Sequence, residues 1–221
     1  MRSRSAHGLT AAAAEGRFAL QVCLDCSTVI YPPRDACPSC LSARIPFRDV
    51  DPAGTLVAET TVRTSTEPYF RERTPWRIGT VRLDAGPVIV AHLHGDVTEG
   101  ERVRLELKLD KSGSAVAMAL PAKETEHMAD DPHLREMTCD PKFRRVLITD
   151  GRTAVGQAMA KAFSDAGASI VFVGIADAWK PFPGMDSLRN IERVEIVPLD
   201  VTDTESVTEQ AEQNGARIDI V

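Results

Sequence analysis

Two C-x-x-C pairs, a run of short alternating strands and a late switch to strand–helix–strand periodicity predict a two-domain chain. The first domain is read as a rubredoxin-like zinc ribbon leading into a small closed β-barrel, with an OB-fold as first choice. The second is read as part of a parallel α/β sheet. The 221 residues suffice for one large domain or two small ones. Apolar residues make up 43% and charged residues 26%, so the chain is neither disordered nor membrane-embedded by composition.

The start, MRSRSAHGLTAAAAEG, is too short and too weakly apolar for a signal-peptide core and reads as a short amphipathic helix. No run of eighteen apolar residues occurs, so no membrane span is expected. Five cysteines, an odd number, argue against a disulfide framework. Reduced thiols then place the protein in the cytoplasm.

A short strand, FALQV, leads into CLDCSTVIYPPRDACPSC, with spacing C-x2-C-x10-C-x2-C. Each pair presents two thiolates to one ion, and Cys23, Cys26, Cys37 and Cys40 together complete a tetrahedron. Zinc suits four thiolates, and iron in a rubredoxin-like site would take the same ligands. A four-cysteine site leaves no open position, so structure rather than catalysis is expected of it. A thioredoxin-type redox role needs one C-x-x-C entering a helix, whereas two stand here in a β context. Helix and ribbon together span 1–45.

From 46 to 121 the candidate strands are GTLVAETTV, RIGTVRLD, PVIVAHLH, RVRLELKL and SAVAMALP. RVRLELKL alternates strictly, which turns Val103, Leu105, Leu107 and Leu109 toward one face. DAG, VTEGE and DKSG supply the turns. His92 and His94 share a strand face and read as sheet-surface residues. Residues 122–142, broken by Pro132 and Pro141, form a linker with room for a short helix.

From 143 to 221 the period changes. RRVLIT, SIVFVG, VEIVPLD and the opening IDIV are strands. AVGQAMAKAFSDAG is a helix with Val155, Ala158, Met159, Ala162 and Phe163 at helical spacing, stopped by Gly167. TDTESVTEQAEQNG is a second helix, opening on a Thr or Asp cap.

Residues 1–121 carry 15 basic and 14 acidic side chains, a net +1, while 122–221 carry 11 and 18, a net −7. Neither balance is the basic footprint of a nucleic-acid binder, and few aromatics are present for base stacking. No nucleic-acid partner is expected.

The run from Gly16 to Val62 places prolines and an arginine before C-P-x-C, then a G-T-L-x-x-x-T-x-V strand. With EPYFRERTPWRIGTVRLDAGPVIVAHLHGDVTEGERV it resembles the zinc-ribbon/OB-fold acyl-CoA-associated family, once called domain of unknown function 35. The resemblance covers roughly residues 8–121. It implies a non-catalytic accessory subunit that helps form the acyl-CoA site, or holds the complex, of a thiolase-like or aldolase-like partner in acyl-CoA metabolism. On that reading Arg71, Arg73 and Arg77 offer guanidinium groups to CoA phosphates, and Trp76 offers a ring to adenine or to the partner. Read as a solvated loop capping the barrel, the same residues need no ligand, and that reading carries more weight.

Residues 143–221 resemble the N-terminal half of the short-chain dehydrogenase/reductase family, which implies a partial Rossmann-like sheet. The family places T-G-x-x-x-G-x-G after its first strand; this chain reads Thr149, Asp150, Gly151, Arg152, Thr153, Ala154, Val155, Gly156. Thr149, Gly151 and Gly156, with the adenine-side pair Asp200 and Val201, are the candidate cofactor residues. Asp150 and Ala154 replace two of the three glycines, and Gly174 stands where an acidic residue would hold the ribose. A carboxylate repels a pyrophosphate and a methyl group crowds it, which weighs against NAD(P). The family's catalytic Ser and Tyr-x-x-x-Lys do not occur in these 221 residues, so the chain reads as a fragment of a longer fusion. The alternative function is therefore an NAD(P)-dependent 3-hydroxyacyl-CoA dehydrogenase fusion whose catalytic half is absent.

Overall fold

The alanine run forms a helix, α1 (His7–Ala14), in the computed structural model, which describes residues 4–126, 131–177, 179–214 and 218–221. Leu9, Ala12 and Ala13 of α1 are buried and join one apolar core with Ala19 and Leu20. The chain divides into two units, Met1–Asp140 and Pro141–Val221.

In the first unit, β1 (Ala19–Val22) pairs antiparallel with β2 (Val29–Ile30) on one side and β3 (Phe47–Asp49) on the other. This small sheet carries the cysteine loops. Five further strands close a barrel: β4 (Ala53–Val62), β5 (Trp76–Leu83), β6 (Val88–Leu93), β7 (Arg102–Leu109) and β8 (Ala115–Pro121). Their order is β4-β5-β6-β8-β7, closed by β4 against β7, with β6 and β8 parallel. Closure removes the open edges that an exposed sheet would present. The order and the single parallel pair are those of the expected OB-fold.

The period-two reading of β7 holds. Val103, Leu105 and Leu107 are at most 4% exposed, and Leu109 packs partly buried against the same core. Burying each such side chain stabilises by about 1.5–3 kcal/mol. The turn into β8 is set by Asp110, whose carboxylate accepts from the amides of Ser112 and Ser114. Gly113 there has φ +71°, a conformation that favours glycine.

Residues 131–140 belong to the first unit, although sequence places them in a linker. Helix α3 (Pro132–Met137) follows the short α2 (Pro68–Arg71) in chain order and is capped by Asp131, which accepts from the amides of His133 and Leu134. Met137 is 2% exposed. Tyr69 Oη donates to the Glu136 carbonyl, and Thr138 bridges to Asp110.

The second unit alternates β9 (Arg145–Ile148), α4 (Ala154–Asp165), β10 (Ile170–Ile175), α5 (Met185–Arg189), β11 (Val194–Pro198) and α6 (Thr204–Gln213). The strands form a parallel sheet in the order β11-β10-β9. Ile220 adds a parallel bridge to Val146 on the other side of β9. The predicted Asp cap of α6 is Asp203, and Gly167 follows the end of α4 at φ +85°.

The apolar spacing that marks α4 does not mark its buried face. Val155, Ala158, Met159 and Ala162 face solvent, with Val155 69% exposed, and Phe163 is only partly buried. The buried positions are Gly156 and Ala160. Gly156 and Ala160 turn inward, and their small side chains allow the helix to approach the sheet closely.

Candidate functional site

The two C-x-x-C loops fold alike. Cys23 N–H donates to the Thr28 carbonyl, and Cys37 N–H to the Ser42 carbonyl. Ser27 N–H donates back to the Cys23 carbonyl, and Leu41 N–H to the Cys37 carbonyl. Ser27 at φ +59° and Leu41 at φ +61° stand four residues after the first cysteine of each loop. Each loop thus reverses through one left-handed residue and aims two thiols inward.

The four sulfurs lie within 4.8 Å of one another. Cys23 and Cys40 Sγ are 3.5 Å apart, as are Cys26 and Cys37 Sγ. A zinc ion bound to four thiolates has sulfur–sulfur edges of about 3.8 Å, from Zn–S bonds near 2.3 Å. Cys23 and Cys37 are buried, while Cys26 and Cys40 are exposed. The donors fit a structural zinc ion, and with four protein ligands none of its positions is left for substrate.

The thiols differ in acidity. The Thr28 hydroxyl and amide bring Cys26 down to about 6. The Ser42 amide favours the Cys40 thiolate, but the Cys26 and Cys23 sulfurs outweigh it and push Cys40 up to about 12. Such a cluster sheds protons when a metal displaces them. Among the described residues, the ribbon's own core holds Ile30 and Ile45 beside the two inner cysteines, so apolar burial alone is too small to hold it.

The barrel loop behaves differently from a free arginine cluster. Arg73 lies 3.6 Å from the centroid of the Tyr69 ring and pairs with Glu136 at 3.0 Å. Arg77 pairs with Glu59 and donates to the Val97 carbonyl. Arg71, at the end of α2, is exposed. Trp76 packs beside Phe70, with centroids 5.7 Å apart. It lines a mostly apolar cavity of about 350 Å³ shared with Thr61, Arg77, His92, Leu134 and Met137.

The histidine reading is corrected. His94 is 1% exposed, accepts the Asp96 amide on Nδ1, and has Asp131 4.0 Å from Nε2. His92 is largely buried, its Nδ1 has no hydrogen-bond partner, and burial lowers its pKa. Sequence reasoning missed both burials, whereas it left room for the short helix that α3 fills. The Asp131-Pro132 pair, a cap followed by a first-turn proline, was the available signal for that helix.

In the second unit the candidate cofactor residues gather at the C-terminal edge of the parallel sheet: Thr149, Gly151 and Gly156 after β9, and Asp200 and Val201 after β11. A Cβ on Gly156 would stand 2.0 Å from the Asp150 carbonyl oxygen, so this glycine lets the helix start close against the loop that precedes it. Asp200 accepts from the Thr202 hydroxyl and amide, which lower its pKa. Val201 is exposed.

Among the described residues, no helix is long and apolar enough to cross a membrane. No curated protein matches the chain. A solved structure named Ltp2-ChsH2(DUF35) aldolase is 23% identical, with a TM-score of 0.48, over 55% of this chain and 98% of that one. A protein of unknown function from the DUF35 family of Sulfolobus solfataricus is 15% identical, with a TM-score of 0.35, over 52% and 82%. Residues 10–45 match the family model described as ChsH2, rubredoxin-like zinc ribbon domain, and residues 47–108 match the one described as ChsH2, C-terminal OB-fold domain.

Proposed function

We propose that the chain is a non-catalytic accessory subunit for a thiolase-like or aldolase-like enzyme of acyl-CoA metabolism. The observation that carries this reading is the consecutive match of ribbon and barrel to the two ChsH2 domains, over residues 10–108. The site chemistry agrees with it. The four thiolates enclose their metal and leave no reactive position, so the ribbon shapes a docking piece. The resemblance to the acyl-CoA-associated family supplies the partner class and the ligand. Of the arginines near this loop singled out above, Arg71 is the one left to meet a CoA phosphate, because it is exposed while Arg73 and Arg77 already hold carboxylates. Trp76 offers its ring at the adjoining cavity.

Affinity-tagged full chain, isolated from its own cells, is expected to bring down a thiolase-fold protein in stoichiometric amount. The reconstituted pair is expected to bind acyl-CoA more tightly than the partner alone. Recovery of the chain without any thiolase-fold protein, across several growth conditions, sinks the reading.

A further inference from the structure

We infer that the second unit binds no NAD(P): several of the groups that would cradle a dinucleotide are spent on its own fold, and some of them clasp the segment between β10 and α5. The inference stands on residues 149–202 and is independent of the accessory reading of the first unit.

A Rossmann-type site needs free amides at the first helix N-terminus and glycines that let the pyrophosphate approach. Here the Arg152 amide donates to Asp150 Oδ1 at 2.9 Å, and the Gly156 amide to Thr153 Oγ1 at 3.0 Å. The Gly151 amide donates to the Gly174 carbonyl at 2.9 Å. Gly151 does not open the loop to a phosphate. A Cβ there would stand 2.1 Å from Val173 Cγ1, so this glycine is used for packing onto β10. Asp150 adds an exposed carboxylate where the pyrophosphate would carry negative charge.

The ribose and adenine positions are spent as well. Gly174 supplies no carboxylate, and a Cβ on it would meet Leu199 Cδ2 at 2.7 Å. Asp177, three residues on, pairs with Lys180 at 2.6 Å and Arg152 at 3.7 Å. Asp200 is closed in its own turn by Thr202.

These groups make a clasp. Arg152 reaches Asp177 and lies 5.7 Å from the centroid of the Phe182 ring. Gln157 Nε2 donates to the Pro183 carbonyl at 3.0 Å. The helix end that would hold a phosphate holds this segment instead. On this inference the unit carries no NAD(P) hydride, whichever partner the first unit takes.

The test uses the full chain. NADH and NADPH are titrated separately, following nicotinamide fluorescence, with NAD⁺ by calorimetry. The expected result is no saturable signal at millimolar cofactor; saturable binding in the micromolar range overturns the inference. Hydrogen exchange tests the clasp. Arg152→Ala is expected to raise amide exchange over residues 179–184 by about tenfold, with β9 and β10 protection unchanged as the check on folding. Unchanged exchange over 179–184 in a folded variant overturns the clasp. A chain that captures a thiolase-fold protein yet binds NADH fails here and leaves the accessory reading standing.

Discussion

Leu41 is 80% exposed, yet its backbone sits at φ +61°. A left-handed L-residue costs roughly 1–2 kcal/mol, and a β-branched one costs more. Leu41→Gly is therefore expected to melt no lower than wild type and Leu41→Val lower, by about 1 kcal/mol. Equal melting of the two variants would refute the backbone argument. His92 gives the second residue-scale prediction. Its imidazole titrates near 6.5 in an unfolded chain, and burial lowers that value in the fold. Between the two values the unfolded state binds more protons, so stability rises with pH across that window and falls on acidification below about 6.5. His92→Gln is expected to flatten the difference between urea midpoints at pH 5 and pH 7. A slope matching wild type would show that other groups carry it. Sequence revealed the four ligands because thiol spacing alone defines a metal knuckle. It hid Leu41 and His92, because nothing local marks an exposed leucine as left-handed or a strand histidine as buried.

Helix α4 shows where pattern reading stops at the scale of an element. Its Thr153 cap emerges only in the structure, whereas existence and stop of the helix were legible, since Gly167 carries the stop chemically. Its inward face was not. The apolar stripe Val155, Ala158, Met159, Ala162 looks like a core face, but the helix lies close to the sheet at Gly156 and Ala160. The barrel strands were read correctly because period two offers only two faces, and one of them in β7 is charged. Val155→Gln and Met159→Gln should each change stability by no more than about 0.5 kcal/mol. Ala160→Leu, at a position with 0% exposure, should cost about 1–3 kcal/mol by overpacking. The reverse ranking in chemical denaturation would overturn the assignment of Gly156 and Ala160 to the inward face.

For the whole molecule, the metal belongs to one unit alone. All four ligands precede residue 41, while the second unit has its own core of Val146, Ile148, Ala160, Val171, Val173 and Leu188. A tetrathiolate zinc contributes on the order of 10–16 kcal/mol to folding its module, as much as the whole stability of a typical domain. The ribbon, with Ile30 and Ile45 as its aliphatic core, has nothing comparable to replace it. Strand β1 couples that loss to the barrel, because Ala19 and Leu20 lie in the same core as Leu105 and Leu107. Stripping the metal with a strong chelator should therefore lower the melting of the first unit by roughly 10 °C or more. A Trp179→Phe variant leaves Trp76 as the sole tryptophan, so its fluorescence reports that unit. Hydrogen exchange in β9 and β10 reports the second unit, and its protection should not change. Metal analysis of the untreated chain should find one zinc per chain; iron would colour the protein and show in its visible spectrum. If chelation lowered Trp76 melting and β9–β10 protection together, the two units would be one cooperative block. If it lowered neither, the four thiols would be dispensable and the ribbon would owe its fold to something other than metal.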